Sequence, residues 1–125
     1  MKLGDAFTMA VPPRYDTPHL FFVISDPSQN GGVYVIVNIT SDYIRAGKEC
    51  VLNVGDHDWI TTLSYVAFRD AREIDPSLNL DSLVGTLIKM QKPLRAEVLK
   101  AVVDAAKASK GIPVKFKKYF PVDSN

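Results

Sequence analysis

Residues 18–41 read PHLFFVISDP, then SQNGG, then VYVIVNITS. Leu20, Phe21, Phe22, Val23 and Ile24 form one apolar run of aromatic and β-branched residues. Val33 to Val37 with Ile39 form a second. Between them lie Pro27, Ser28, Gln29, Asn30, Gly31 and Gly32, which turn a chain and cannot fill a core. Two such runs about a glycine-bearing loop predict a β-hairpin. Runs that are apolar at consecutive positions, instead of alternating, predict strands covered on both faces. The hairpin therefore belongs at the centre of a β-rich domain, with Val23, Ile36 and Val37 in the core.

Upstream, LGDAFTMA (3–10) alternates around Phe7 and Met9 and suits a first strand. VPPRYDTP (11–18) holds three prolines and is read as a loop, because proline offers no ladder donor. Downstream, residues 41–48 are polar enough for a surface loop and 50–54 suit a short strand. Residues 55–60 suit a loop anchored by Trp59. Residues 64–69 suit a further strand that continues past a bend through 72–75. Residues 83–90 are read as a short strand.

The one long helix is expected over about 93–109, with Pro93 at its first position. Leu94, Val98, Ala101, Val102 and Ala105 make its apolar stripe, and Gly111 and Pro113 stop it. A basic and aromatic tail follows over 112–125. Short strands with Gly/Pro joints and one late helix predict a mainly β fold with a C-terminal α-helix, a small SH3-like β-barrel in a single domain spanning 1–125.

The composition is that of a globular chain, 46% hydrophobic and 23% charged. No apolar run reaches the roughly 20 residues of a membrane span, and the first residues lack a secretory pattern, so a cytoplasmic location without membrane attachment is expected. The single cysteine, Cys50, allows no internal disulfide and is expected to pack as a small hydrophobe. One Cys and two His are too few for a zinc site, so no metal and no cofactor are expected. The charge is uneven: residues 1–88 carry 6 Lys/Arg against 11 Asp/Glu, whereas 89–125 carry 9 against 3. A basic end on an acidic body suits an acidic partner, and a second copy of the chain fits that split best.

The order of these signals resembles the MazF/PemK (CcdB-like) toxins of bacterial toxin–antitoxin modules. Gly4-Asp5 is similar to that family's leading Gly-Asp, and PHLFFVIS (18–25) to its Arg-Pro-led second strand. VIVNITS (35–41) is similar to the strand ending in its Pro-Ile-Thr-like segment. SYVAFRDAREID (64–75) is similar to its Ser-Val-Val strand running into Arg-x-Ile-Asp. The resemblance implies a homodimeric, metal-independent endoribonuclease that cuts single-stranded RNA and is neutralised by an antitoxin protein. It makes Thr40 the family threonine. At the family arginine this chain has Thr17, and Arg14 is the nearest arginine.

Cleavage through the 2′-hydroxyl needs a base, an acid and a cation for the phosphate. His57, in a Gly-Asp-His-Asp turn, and His19, at the start of the hairpin, are the candidate acid and base. Arg14 or Arg69 would meet the phosphate, with Ser41 and Tyr43 among the RNA contacts. Trp59, Tyr15 and Tyr43 could stack on bases, but each candidate has a plainer reading: His57 caps a turn, His19 lies on the surface and Trp59, like most tryptophans, anchors a core. Two functions stay open, the endoribonuclease and a noncatalytic SH3-like protein-interaction module derived from such a toxin.

Overall fold

The computed structural model describes residues 1–11 and 14–121, with positions 11 and 14–16 described by backbone alone. The hairpin sits where its sequence puts it. β2 (Arg14–Val23) and β3 (Tyr34–Thr40) pair antiparallel through Phe21↔Asn38, Phe22↔Val37 and Val23↔Ile36. Their connection is a single 3-10 turn, Pro27–Gln29, capped by the Asp26 carboxylate. Gly31 and Gly32 follow at φ of 63° and 88°, backbone that a side chain would strain.

β1 (Ala6–Val11) pairs with β2 on one edge and with β7 (Ile88–Gln91) on the other. The far edge of β3 is shared end to end by two short strands. β6 (Arg72–Ile74) lies opposite Tyr34–Ile36, and β5 (Ser64–Val66) opposite Ile39 and Thr40. A 3-10 turn at Phe68–Asp70 lets the chain pass from one to the other. β4 (Val51–Leu52) completes the order β4-β5-β3-β2-β1-β7, with β6 beside β3.

Alternate residues of the central strands enter two separate cores. Leu20, Phe22, Ile24, Val35, Val37 and Ile39 face the long helix α2 (Ala96–Ala108), which contributes Val98, Val102 and Ala106. Ile112, Phe116 and Phe120 close over the same side. Phe21, Val23, Tyr34 and Ile36 face the opposite way, onto Phe7, Ile74, Leu80 and Ile88, with Met1, Met9 and Leu83 at the rim. Here the expected SH3-like barrel is corrected. A barrel has one inside face, whereas this sheet buries both, and its end strands β4 and β7 do not pair, so it stays open. The fold is a mixed α/β arrangement of one seven-stranded sheet with a C-terminal helix.

Smaller expectations also shift. The stretch read as a proline loop is strand from Arg14 onward. The β1–β2 ladder slips between Met9↔His19 and Val11↔Arg14, so Pro18 falls in the irregular part, where no ladder donor is required. Residues 41–48 contain a one-turn helix, α1 (Tyr43–Ala46), because Asp42 caps it by accepting from the Ile44 and Arg45 N–H groups. Leu83 ends a 3-10 turn (Leu80–Leu83), Val84 makes an isolated bridge to Ile88, residues 85–87 are turn, and strand begins only at Ile88. Pro93 precedes α2, which starts at Ala96; Ala101 is exposed and Ala106 takes its place in the stripe.

The tail is folded back onto the body up to Pro121. Phe116 and Phe120 are buried, and Lys117 Nζ donates to the carbonyls of Ala106 and Lys107 at the end of α2, at 3.1 and 2.9 Å. Two of the tail's aromatic residues thus pack inside the chain while Tyr119 stays half-buried, and the last four positions of the tail lie outside the described residues.

Candidate functional site

Past Phe21 and Asn38 the ladder between the two central strands ends. β2 continues along β1, while β3 gives its other edge to β5. Where they part lies an open pocket of about 240 Å³. Pro18, His19 and Leu20 line it from β2, and Ile39, Thr40 and Ser41 from the end of β3. Trp59, Thr61, Thr62 and Ser64 close it from the segment that leads into β5.

Most of the pocket's polar groups are uncommitted. Thr40 Oγ1 accepts from the Asp42 N–H at 3.1 Å, which leaves its own proton to donate. Ser64 donates to the Thr62 carbonyl at 2.9 Å. The His19 ring, the hydroxyls of Ser41, Thr61 and Thr62, and the Trp59 indole N–H have no partner among the described residues. No described lining residue is Lys, Arg, Asp or Glu. A half-buried imidazole beside free hydroxyls can exchange protons with a bound group and hydrogen-bond it from several sides.

The 57–60 turn is anchored by histidine and not by tryptophan. His57 is 6% exposed and lies against the Phe22 ring, with centroids 6.2 Å apart, whereas Trp59 is 41% exposed. His57 Nδ1 accepts from the Trp59 N–H at 3.0 Å, and Nε2 lies 2.7 Å from the Lys92 carbonyl. A carbonyl only accepts, so the proton sits on Nε2 and both ring nitrogens are committed. The imidazole thereby ties the turn to the segment entering α2. Lys92 and Asp58 add an exposed ion pair at 3.0 Å, and the Lys92 ammonium holds the Asp58 carboxyl below its usual range. Arg95 donates to the Gly55 carbonyl at 2.8 Å.

Of the residues singled out from sequence, His19, Thr40, Ser41 and Trp59 come together in the pocket and His57 does not line it. Arg14 heads β2, and its side chain, like that of Tyr15, lies outside the described residues. Tyr43 and Arg69 do not line the pocket. Tyr43 stands edge-on to Tyr65 with the Lys48 ammonium 4.4 Å from its ring centre. Arg69 reaches the Arg45 carbonyl at 3.5 Å, beside the exposed Arg45–Asp70 pair. Thr61 and Thr62 were not foreseen, since nothing in an isolated Thr-Thr pair marks a pocket. Cys50 packs in the larger core, where burial pushes its thiol up to about 11. No three His, Cys, Asp or Glu side chains gather as a ligand set among the described residues, and none of the described helices is long and apolar enough to cross a membrane.

The architecture is one already seen in a toxin–antitoxin pair. A chain in the crystal structure of MazE–MazF from Deinococcus radiodurans matches with a TM-score of 0.55, over 90% of this chain and 98% of that one, at 16% identity. The likeness is one of fold, and to that extent the resemblance read from the strands holds. No family profile matches the sequence, and no curated protein does.

Proposed function

We propose that this chain is a toxin-like endoribonuclease that cuts single-stranded RNA without a metal ion, with the pocket at the parting of β2 and β3 as its active site. The observation that carries this is the meeting of His19, Thr40 and Ser41 in one open pocket with free polar groups. In the reaction the 2′-oxygen attacks the adjacent phosphorus and the P–O5′ bond breaks, giving a 2′,3′-cyclic phosphate and a 5′-hydroxyl. His19 serves as the proton-transfer group, taking the 2′ proton or delivering one to O5′. Thr40 and Ser41 donate to phosphate oxygens, and Arg14 supplies the cation. His57, with both nitrogens committed, takes no part in the proton transfers. A second copy of the chain and an antitoxin protein are the partners this function calls for, and the fold match to MazE–MazF supports the second.

The test is incubation of purified protein with single-stranded RNA in excess chelator, followed by analysis of the ends. Cyclic phosphate ends from the wild type, lost in His19→Ala and reduced in Thr40→Ala, are expected. The absence of lysine and arginine among the described lining residues favours one second reading, a noncatalytic module that binds a protein partner. Intact RNA in every reaction would favour it.

A further inference from the structure

We infer that the pocket seats one unpaired nucleobase of an RNA strand, stacked on the Trp59 indole, with Thr61 and Thr62 reading its edge. This rests on the endoribonuclease reading and adds what the pocket selects. Tryptophan is usually covered in a folded chain, yet here the indole is 41% exposed at the pocket wall and its N–H is free among the described residues. The buried residue of the turn is instead His57, whose ring fixes the Trp59 backbone at 3.0 Å. The backbone that carries the platform is therefore held before any ligand arrives, which lowers the ordering cost of binding.

Size and charge narrow the ligand. About 240 Å³ is below the roughly 300–1,000 Å³ that holds drug-sized molecules, so one ring system fits and a folded oligonucleotide does not. Among the described residues the lining has no Lys or Arg to favour a phosphate and no Asp or Glu to favour a cation, which suits a neutral heterocycle. Hydroxyl groups both donate and accept, so they can meet the mixed Watson–Crick edge of an unpaired base. A base paired in a duplex offers neither its face nor that edge, so selection for single strands follows from the same geometry.

Trp59 is the sole tryptophan, so its emission reports this pocket directly. The experiment titrates the wild type with a 2′-O-methyl single-stranded oligonucleotide, which binds without being cut. The same strand made abasic throughout and the same strand in a duplex serve as comparisons, with anisotropy of a labelled oligonucleotide as a second readout. A saturable change of emission with the single strand is expected. Affinity should fall on the order of tenfold or more for the abasic strand and for Trp59→Ala, and much less for Trp59→Phe, which keeps a stacking ring. Binding that leaves the emission unchanged, or that is equal for the abasic strand, overturns the base site. If such a protein still cuts RNA, the nuclease reading survives alone. An emission change without any cleavage of RNA upholds the base site and overturns the nuclease. Neither binding nor cleavage overturns both and turns attention to a protein ligand.

Discussion

Replacing His57 with alanine separates an anchoring histidine from a catalytic one. The ring is 6% exposed and holds two backbone groups, the Trp59 N–H at 3.0 Å and the Lys92 carbonyl at 2.7 Å, from segments 33 residues apart. In His57→Ala both groups lose their partner beside the Phe22 ring, in a space too apolar to replace it well. An orphaned buried group costs about 1–3 kcal/mol, and the vacated ring volume adds to that, so the variant should lose about 3–5 kcal/mol. His57→Asn sets an amide oxygen near the former Nδ1, restores the acceptor for Trp59 and should recover about 1 kcal/mol. Urea unfolding followed by far-UV circular dichroism measures both, with the slope unchanged if the denatured state is the same. A loss below about 1 kcal/mol in His57→Ala would refute the anchoring role.

Three further outcomes follow from the fold. Ile36→Ala, in the smaller core on the central strand, should cost about 2–5 kcal/mol in the same assay, and an unchanged melting curve would contradict its central placement. Partial burial pushes the Glu49 carboxyl up, but hydrogen bonds from Ser109 Oγ, Lys110 N and Gly111 N, with Lys117 nearby, outweigh it and hold the group below its ordinary value. The resulting stability is present above the unfolded carboxylate value, near ~4.3, and is lost as pH falls through the folded one. The stability gap between wild type and Glu49→Gln, measured by denaturant at several pH values, should therefore close in acid; a gap equal at pH values far above and below that value would contradict it. Gly111→Ala would bring a Cβ to 2.9 Å from Glu49 Oε1, a carboxylate oxygen held by those same bonds, and should lower stability by about 1–3 kcal/mol; an unchanged midpoint of unfolding would count against the clamp.

The hairpin could be read from sequence because consecutive apolar residues in Leu20–Ile24 and Tyr34–Val37 can only be buried on two faces. The same residues argued against a barrel, which has one inside; the strand count and glycine joints obscured that. Pro18 was misleading, since a register shift lets β2 run through it without its missing donor, whereas positions 12 and 13 lie outside the described residues. His19 and Thr40 were legible as the polar ends of the two apolar runs, and both line the pocket. The exchange of roles between His57 and Trp59 was not legible. Size favours burying tryptophan, and the backbone carbonyl that makes the histidine worth burying belongs to Lys92, 35 residues away. Thr61 and Thr62 reach the pocket only because β5 pairs with the end of β3, a tertiary event that leaves no mark on the local sequence.

The most direct measurement is the rate of RNA cleavage in chelator by wild type, His19→Ala and His57→Asn, each at a temperature where circular dichroism reports a folded protein. His19→Ala should lower kcat by about 10²–10⁴-fold with little change in melting temperature, as loss of a proton-transfer group does. His57→Asn should melt earlier yet keep kcat within a few-fold of wild type. Cleavage by His19→Ala at the wild-type rate, with His57→Asn inactive though folded, would contradict the account.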